Sequence, residues 1–189
     1  MTCLNHASLA ASLAALTVTA DAAAASKPKS PAGKRPDVIV IMTDQQTAGA
    51  MSCAGNPWVR TPAMDALAAD GVRFTRAYCP YPLSGPCRAA LVTGRMPFEV
   101  GAFDNAIRPA DADMQAGIGH RLAEAGYECL YAGKWHVPEV NLPDSGTGFR
   151  RISKMNDPAL ADACDAALKE YDGQKPLFLV ASLLNPHEI

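Results

Sequence analysis

Two short runs, Asp37-Val-Ile-Val-Ile-Met-Thr43 and Leu177 to Leu184, are apolar almost without interruption. A strand that is apolar on both faces must be covered on both, which is the condition of a parallel sheet lying between helices. The intervening chain supplies those helices. Pro62 to Ala69 reads as one, with Thr61 as N-cap, Pro62 at the first position and Gly71 near its stop. Val72 to Tyr78 reads as a strand, and Gln115 to Ala125 as a second helix ending near Gly126. Glu128 to Ala132 reads as a short strand, and Pro158 to Glu170 as an amphipathic helix capped by Asp157. Strands alternating with helices predict an α/β fold, a mostly parallel sheet flanked by helices. In such sheets sites gather beyond the carboxyl ends of the strands. Asp44, Lys134, His136 and His187 each fall just beyond a predicted strand, so four polar candidates share one structural position.

The 189 residues carry a net charge of −2, with no basic excess of the kind that binds nucleic acid and no acidic tail. Residues 1–25 differ from the rest. They are rich in Ala, Leu, Ser and Thr, with an apolar run around Leu9 to Ala20 and small residues at Ala22 to Ala25 suited to cleavage. This reads as a secretory signal peptide, and predicts an exported protein, periplasmic or secreted. No Lys or Arg precedes the run, and a disordered Ala-rich leader is the competing reading. The run is too short and too weakly apolar for a stable membrane span. Residues 26–36, with their Lys, Pro and Ser, read as a linker, and 37–189 as the globular part. Of six cysteines, Cys53, Cys79, Cys87, Cys129 and Cys164 lie beyond the leader. Their spacing is not that of a zinc site, and one or two disulfides stay open, unpaired by sequence.

The most distinctive stretch is Pro82-Leu83-Ser84-Gly85-Pro86-Cys87-Arg88-Ala89-Ala90-Leu91-Val92-Thr93-Gly94-Arg95. Pro86 suits the first position of a helix over Cys87 to Val92, and Gly94 can take the left-handed conformation that ends it. Ser84 then lies at the helix mouth, where free N–H groups and the dipole favour an anion. Arg88, one turn in, offers a fork of donors for an oxyanion. By itself Ser84 could equally be a cap. Asp44, at the end of the first strand with Gln45 beside it, offers oxygen to a hard cation, or caps a loop. In Gly133-Lys134-Trp135-His136 an extended backbone points Lys134 and His136 the same way. There Lys134 supplies a point charge and His136 a proton or hydrogen bond. Asn185-Pro186-His187 places another His after a buried strand, as ligand or as structure. His120 reads as structural or exposed.

Taken in order, these segments resemble the N-terminal half of a sulfatase, within the alkaline-phosphatase-like superfamily. The resemblance includes Asn56 to Asp65 and Gly71 to Tyr78, and runs from about Arg35 to Ile189. It implies that Ser84, in a Ser-x-Pro-x-Arg frame, is the residue oxidised to formylglycine, the catalytic nucleophile. It also implies a divalent cation, Ca²⁺ or Mg²⁺, with Asp44, Gln45 and Ser84 as ligands. Gln45 stands where many members have a second Asp. Arg88 would hold the modified residue's hydroxyl, and Lys134, His136 and His187 would bind the sulfate ester and assist the leaving group. The implied reaction is hydrolysis of a sulfate ester (glycan, aryl or small-molecule). One hydroxyl of the aldehyde hydrate attacks sulfur, and the other later expels sulfate.

Ser at the nucleophile position resembles the subset matured by a radical-SAM enzyme before export. Cys87 and Cys79 fail as precursors: neither has Pro and Arg at the required offsets, and Tyr81 stands where Cys79 would need Pro. Family members continue well past Ile189, with further metal ligands and another Lys. The chain is therefore expected to be the incomplete, N-terminal portion of the fold, and poor in turnover by itself. A related phosphodiesterase or phosphonate hydrolase is the competing activity. A non-catalytic sulfate-binding protein with unmodified Ser84, and a purely structural domain, are the competing non-enzymes.

Overall fold

The computed structural model describes residues 35–137 and 144–187. The predicted leader, and the linker up to residue 34, lie outside the described residues.

Four strands form one sheet: β1 (Val38–Asp44), β2 (Glu128–Gly133), β3 (Arg150–Arg151) and β4 (Leu177–Pro186). Their order is β1-β4-β2-β3, and every neighbouring pair is parallel. Five helices accompany them: α1 (Pro62–Asp70), α2 (Ser84–Thr93), α3 (Asp111–Gln115), α4 (Ile118–Glu124) and α5 (Asp157–Glu170). The α/β reading and the parallel sheet hold. All parallel strands end at the same edge, where Asp44 closes β1 and Lys134 and His187 follow β2 and β4.

Several local expectations change. The stretch 72–78 is not a strand: it has no sheet neighbour for its backbone groups, and Val72, Phe74 and Tyr78 stand exposed. The helix predicted over Gln115 to Ala125 starts later, as α4 from Ile118, with α3 ending at Gln115 and a break at Gly117 between them. There a Cβ would meet the carbonyl oxygens of Val92 at 2.8 Å and Met114 at 2.9 Å. Helix α5 is capped by Asn156, whose Oδ1 accepts from Ala159 N at 3.0 Å, and not by Asp157. The Asp157 carboxylate accepts instead from the N–H groups of Leu184 (2.6 Å) and Asn185 (2.9 Å), tying α5 to the end of β4. Burial works to raise its pKa, but those backbone donors hold it below the ordinary carboxylate value. The two-residue strand β3 carries no periodic signal and forms by pairing with Leu130 and Tyr131.

Helix α2 starts earlier than its Pro suggests. Leu83 is the extended N-cap, and Cys87 N bonds Leu83 O at 3.0 Å. Ser84 is thus the first helical residue, and Pro86 lies within the first turn, where a missing N–H costs no helical bond. The expected stop holds. Gly94 adopts φ 70°, and its N–H returns to Ala90 O at 2.8 Å.

The core lies on β4 and β2. Leu177 to Ala181 and Cys129 to Ala132 are buried, and Tyr131, Trp135, Phe149 and Phe178 pack against one another as rings. No helix of the described residues is long and apolar enough to cross a membrane.

Candidate active site

At the carboxyl edge of the sheet, β2 ends on Gly133, which must be glycine. Its φ is 86°, and a Cβ there would lie 2.1 Å from Ser182 O. That close approach lets Lys134 N bond Ser182 O at 2.8 Å, fixing where the Lys134 side chain departs. Arg88 reaches into the same place from α2. Its Nη1 donates to Lys134 O and to Ser182 Oγ, each at 2.8 Å, and Tyr131 Oη donates to the same Lys134 carbonyl at 2.8 Å. Arg88, only 5% exposed, is therefore held at one end by backbone and side-chain oxygens.

The other end of Arg88 faces the site. Its Nε donates to Ser84 Oγ at 3.1 Å, and its Nη2 lies 3.7 Å from Asp44 Oδ1. Lys134 Nζ, 3% exposed as a residue, forms an ion pair with Asp44 Oδ2. His136 Nδ1 hydrogen-bonds Ser84 Oγ at 2.8 Å. Two cations thus share one buried carboxylate, and a serine hydroxyl sits between guanidinium and imidazole. Gln45 and His187 line the same open cleft, a space of about 660 Å³, with Ser84, Arg88, Asp44 and His136. His120 lies in α4, away from this lining.

Lys134 and His136 converge, but not on an extended backbone as expected. His136 has φ 46°, so a left-handed residue turns the chain. Trp135 between them is buried against Tyr131 and Phe149, with the Arg151 guanidinium 5.4 Å from its ring centroid. Lys134 consequently goes inward to Asp44, while His136 stays solvent-exposed over Ser84. Desolvation, then the charges of Lys134 and Arg88, push the His136 pKa below 6.5, and Asp44 only partly opposes them. The neutral imidazole is the form favoured near neutrality. Burial, with the neighbouring Cys79 thiol, pushes the Cys87 thiol up.

The donors suit a hard cation in part. Asp44 Oδ2 is buried and ion-paired but receives no aligned hydrogen bond, so a lone pair is left for another electrophile. Gln45 and Ser84 add an amide and a hydroxyl oxygen to the lining. Ca²⁺ takes about six to eight oxygens. Among the described residues no group of three His, Cys, Asp or Glu is placed to hold a metal ion.

Three positioning groups were missed in the sequence. Ser182 is the polar residue within a buried apolar strand, and a fully buried hydroxyl needs a partner, which was its signal. Asn105 accepts from Gly85 N at 2.8 Å, pinning the first turn of α2 from a loop with no pattern to betray it. The Tyr131 hydroxyl was hidden by the ring's place in the core.

Known proteins resemble this chain in both sequence and fold. The Sulfatase family model matches residues 36–189. An N-acetylglucosamine-6-O-sulfatase of Bacteroides thetaiotaomicron is 40% identical over 133 residues, covering 70% of this chain and 23% of that protein. Human arylsulfatase A is 36% identical over 124 residues, 62% of this chain and 24% of that one. The chain thus spans about a quarter of the length of these curated relatives. Among solved structures, a protein in complex with its substrate D-glucosamine-2-N,6-O-disulfate superposes with a TM-score of 0.71 at 29% identity. That match covers 82% of this chain and 35% of that one. The phosphonate monoester hydrolase of Agrobacterium radiobacter superposes at 0.67 and 21% identity, covering 81% and 41%, and so shares the fold. With the family model matching from just before β1 to the last residue, and a serine held by Arg88 beneath a histidine at the sheet's edge, this chain belongs to the sulfatase family.

Proposed function

We propose that this chain carries the nucleophile half of a sulfuric ester hydrolase, with Ser84 as the precursor of formylglycine. The observation that carries the reading is the seat of Ser84 Oγ, 3.1 Å from Arg88 Nε and 2.8 Å from His136 Nδ1 at the start of α2. A serine hydroxyl is a weak nucleophile, and its sulfate ester would be a stable end point. Oxidation to the aldehyde, by a radical-SAM maturase before export, would supply a hydrate with two hydroxyls on one carbon. A bound Ca²⁺ or Mg²⁺, held in part by Asp44, Gln45 and the residue at position 84, would lower the pKa of the attacking hydroxyl and neutralise sulfate charge.

The chain's own groups do the rest. Arg88 keeps one donor on the oxygen at position 84 while its far end is anchored, so the group meets developing charge without reorganising. Lys134, drawn to Asp44 in this structure, has a charge within the site for a sulfate oxygen. His136, its pKa lowered, accepts or passes a proton at Nδ1 near neutral pH. His187 lines the same cleft and would serve as a second donor to the leaving oxygen. Sulfated sugars are the favoured ester class. The bacterial relative is named for one, and a structural neighbour was solved with another. The apolar, small-residue leader supports export to the periplasm or beyond, with 37–189 as the catalytic portion.

Binding of 4-nitrophenyl sulfate to the purified chain tests the reading. Lys134→Ala and His136→Ala should each weaken it about tenfold, the loss of one charged or hydrogen-bonding partner. Unchanged affinity in both variants would overturn it. Tighter binding of 4-nitrophenyl phosphate than of the sulfate would favour the phosphonate-hydrolase alternative.

A further inference from the structure

Two thiols in the lining of the cleft have no part in the chemistry above. Cys87 stands on the first turn of α2, and Cys79 lies on the exposed segment leading to it. Both face the space that holds Ser84, Asp44 and His136. Burial and the neighbouring Cys79 thiol push the Cys87 pKa up, and both residues are free thiols. The other described cysteines lie elsewhere: Cys53 beside Met64 and Leu67, Cys129 within β2, and Cys164 on α5 against the core.

We propose that Cys79 and Cys87 are a modification site, closing to a disulfide that clasps the segment before Ser84 to the first turn of α2. The exposed Cys79 is the entering group. Its thiolate attacks one sulfur of an external disulfide, forming a mixed disulfide and releasing one thiolate. The Cys87 thiolate then attacks the Cys79 sulfur and displaces the second. Two thiol protons are lost, and the two electrons reduce the external disulfide to two thiols. Ser84 lies inside the ring so formed. The ring removes freedom from a segment that has no sheet partner, and so narrows the positions open to the side chain at 84. The oxidising surroundings rest on the exported reading, whereas the pairing does not depend on what happens to Ser84.

The test uses the purified full chain and glutathione disulfide as oxidant, followed by iodoacetamide under denaturing conditions. Trypsin cuts after Arg76 and Arg88, so one peptide, Ala77 to Arg88, carries both cysteines and Ser84. A bridge removes two hydrogens from it, and so does an aldehyde at Ser84. The two changes separate on treatment with a phosphine: the bridge opens and both cysteines take the label, whereas the aldehyde persists and is captured by a hydrazide. Before reduction, Cys79 and Cys87 should label about tenfold less than Cys129, and equally with it afterwards. In Cys79→Ser, Cys87 should label without reduction. Equal labelling of all three from the start, a glutathione adduct persisting on Cys79, or a bridge from either residue to a third cysteine would overturn the pairing.

Discussion

β4 and β1 have the same kind of sequence and opposite surroundings. Leu177 to Ser182 of β4 are buried throughout, between β1 and β2 and beneath α5. In β1, Ile39 is 50% exposed and Ile41 63%, although Val38 to Met42 are as continuously apolar as Leu177 to Ala181 of β4. Among the described residues the interior strand has both neighbours and cover, whereas the edge strand has one neighbour and a bare face. Yet Asp44, which belongs to β1, is buried, because Arg88 and Lys134 close over it from the well-packed side. The site is therefore anchored by the well-packed strands of the sheet and only touched by the exposed one.

The largest effect should come from the anchor. Arg88→Ala strips Asp44 of a cation, Ser182 Oγ of its guanidinium donor and the Lys134 carbonyl of one of its two donors. Thermal or denaturant unfolding should show a loss of about 3–5 kcal/mol, the cost of breaking a buried charge network. Arg95→Ala, at a half-exposed pair with Asp113, should cost no more than about 1 kcal/mol. Similar losses in the two variants would show that Arg88 is not held as described.

Core and edge should differ next. Leu179→Ala, at a side chain 1% exposed, should cost about 2–5 kcal/mol. Ile41→Ala should cost under about 1 kcal/mol, since little apolar area leaves water on folding. An Ile41 loss matching that of Leu179 would mean that the bare face of β1 is covered in solution.

The smallest expected effect is electrostatic. The His136 pKa lies below 6.5, so between that value and 6.5 the unfolded chain binds more protons than the native one. Stability therefore rises with pH through this window and is eroded as pH falls. An NMR titration of the imidazole should give a midpoint under 6.5. Lys134→Met should raise it, because a nearby cation is removed and Asp44 is left to favour the charged ring. An unmoved midpoint would contradict the coupling of Lys134 to His136.

Much of this was legible in the chain. The two apolar runs specified parallel strands, and their ends located Asp44 and His187; β4 is buried as its run implied, whereas β1 is not, because one of its faces is left bare. Pro86 and Gly94 marked α2, although the helix takes in two residues before Pro86, because Leu83 and not Ser84 closes its first turn. The strand expected over 72–78 did not form, since a strand needs a neighbour and sequence does not supply one. The left-handed turn at His136 and the Asn105 bond to Gly85 were invisible, as both depend on segments far apart in sequence. Ser182 could have been found, because a hydroxyl inside a buried strand implies a donor or acceptor facing it.

The central claim is that Ser84 is placed for conversion to formylglycine. Mass spectrometry of the reduced and alkylated Ala77–Arg88 peptide, from cells carrying a radical-SAM maturase, tests it directly. The account predicts a peptide lighter by two hydrogens that reacts with a hydrazide, and no such species from Ser84→Ala. A peptide of full mass, with Ser84 intact in the presence of an active maturase, would contradict it.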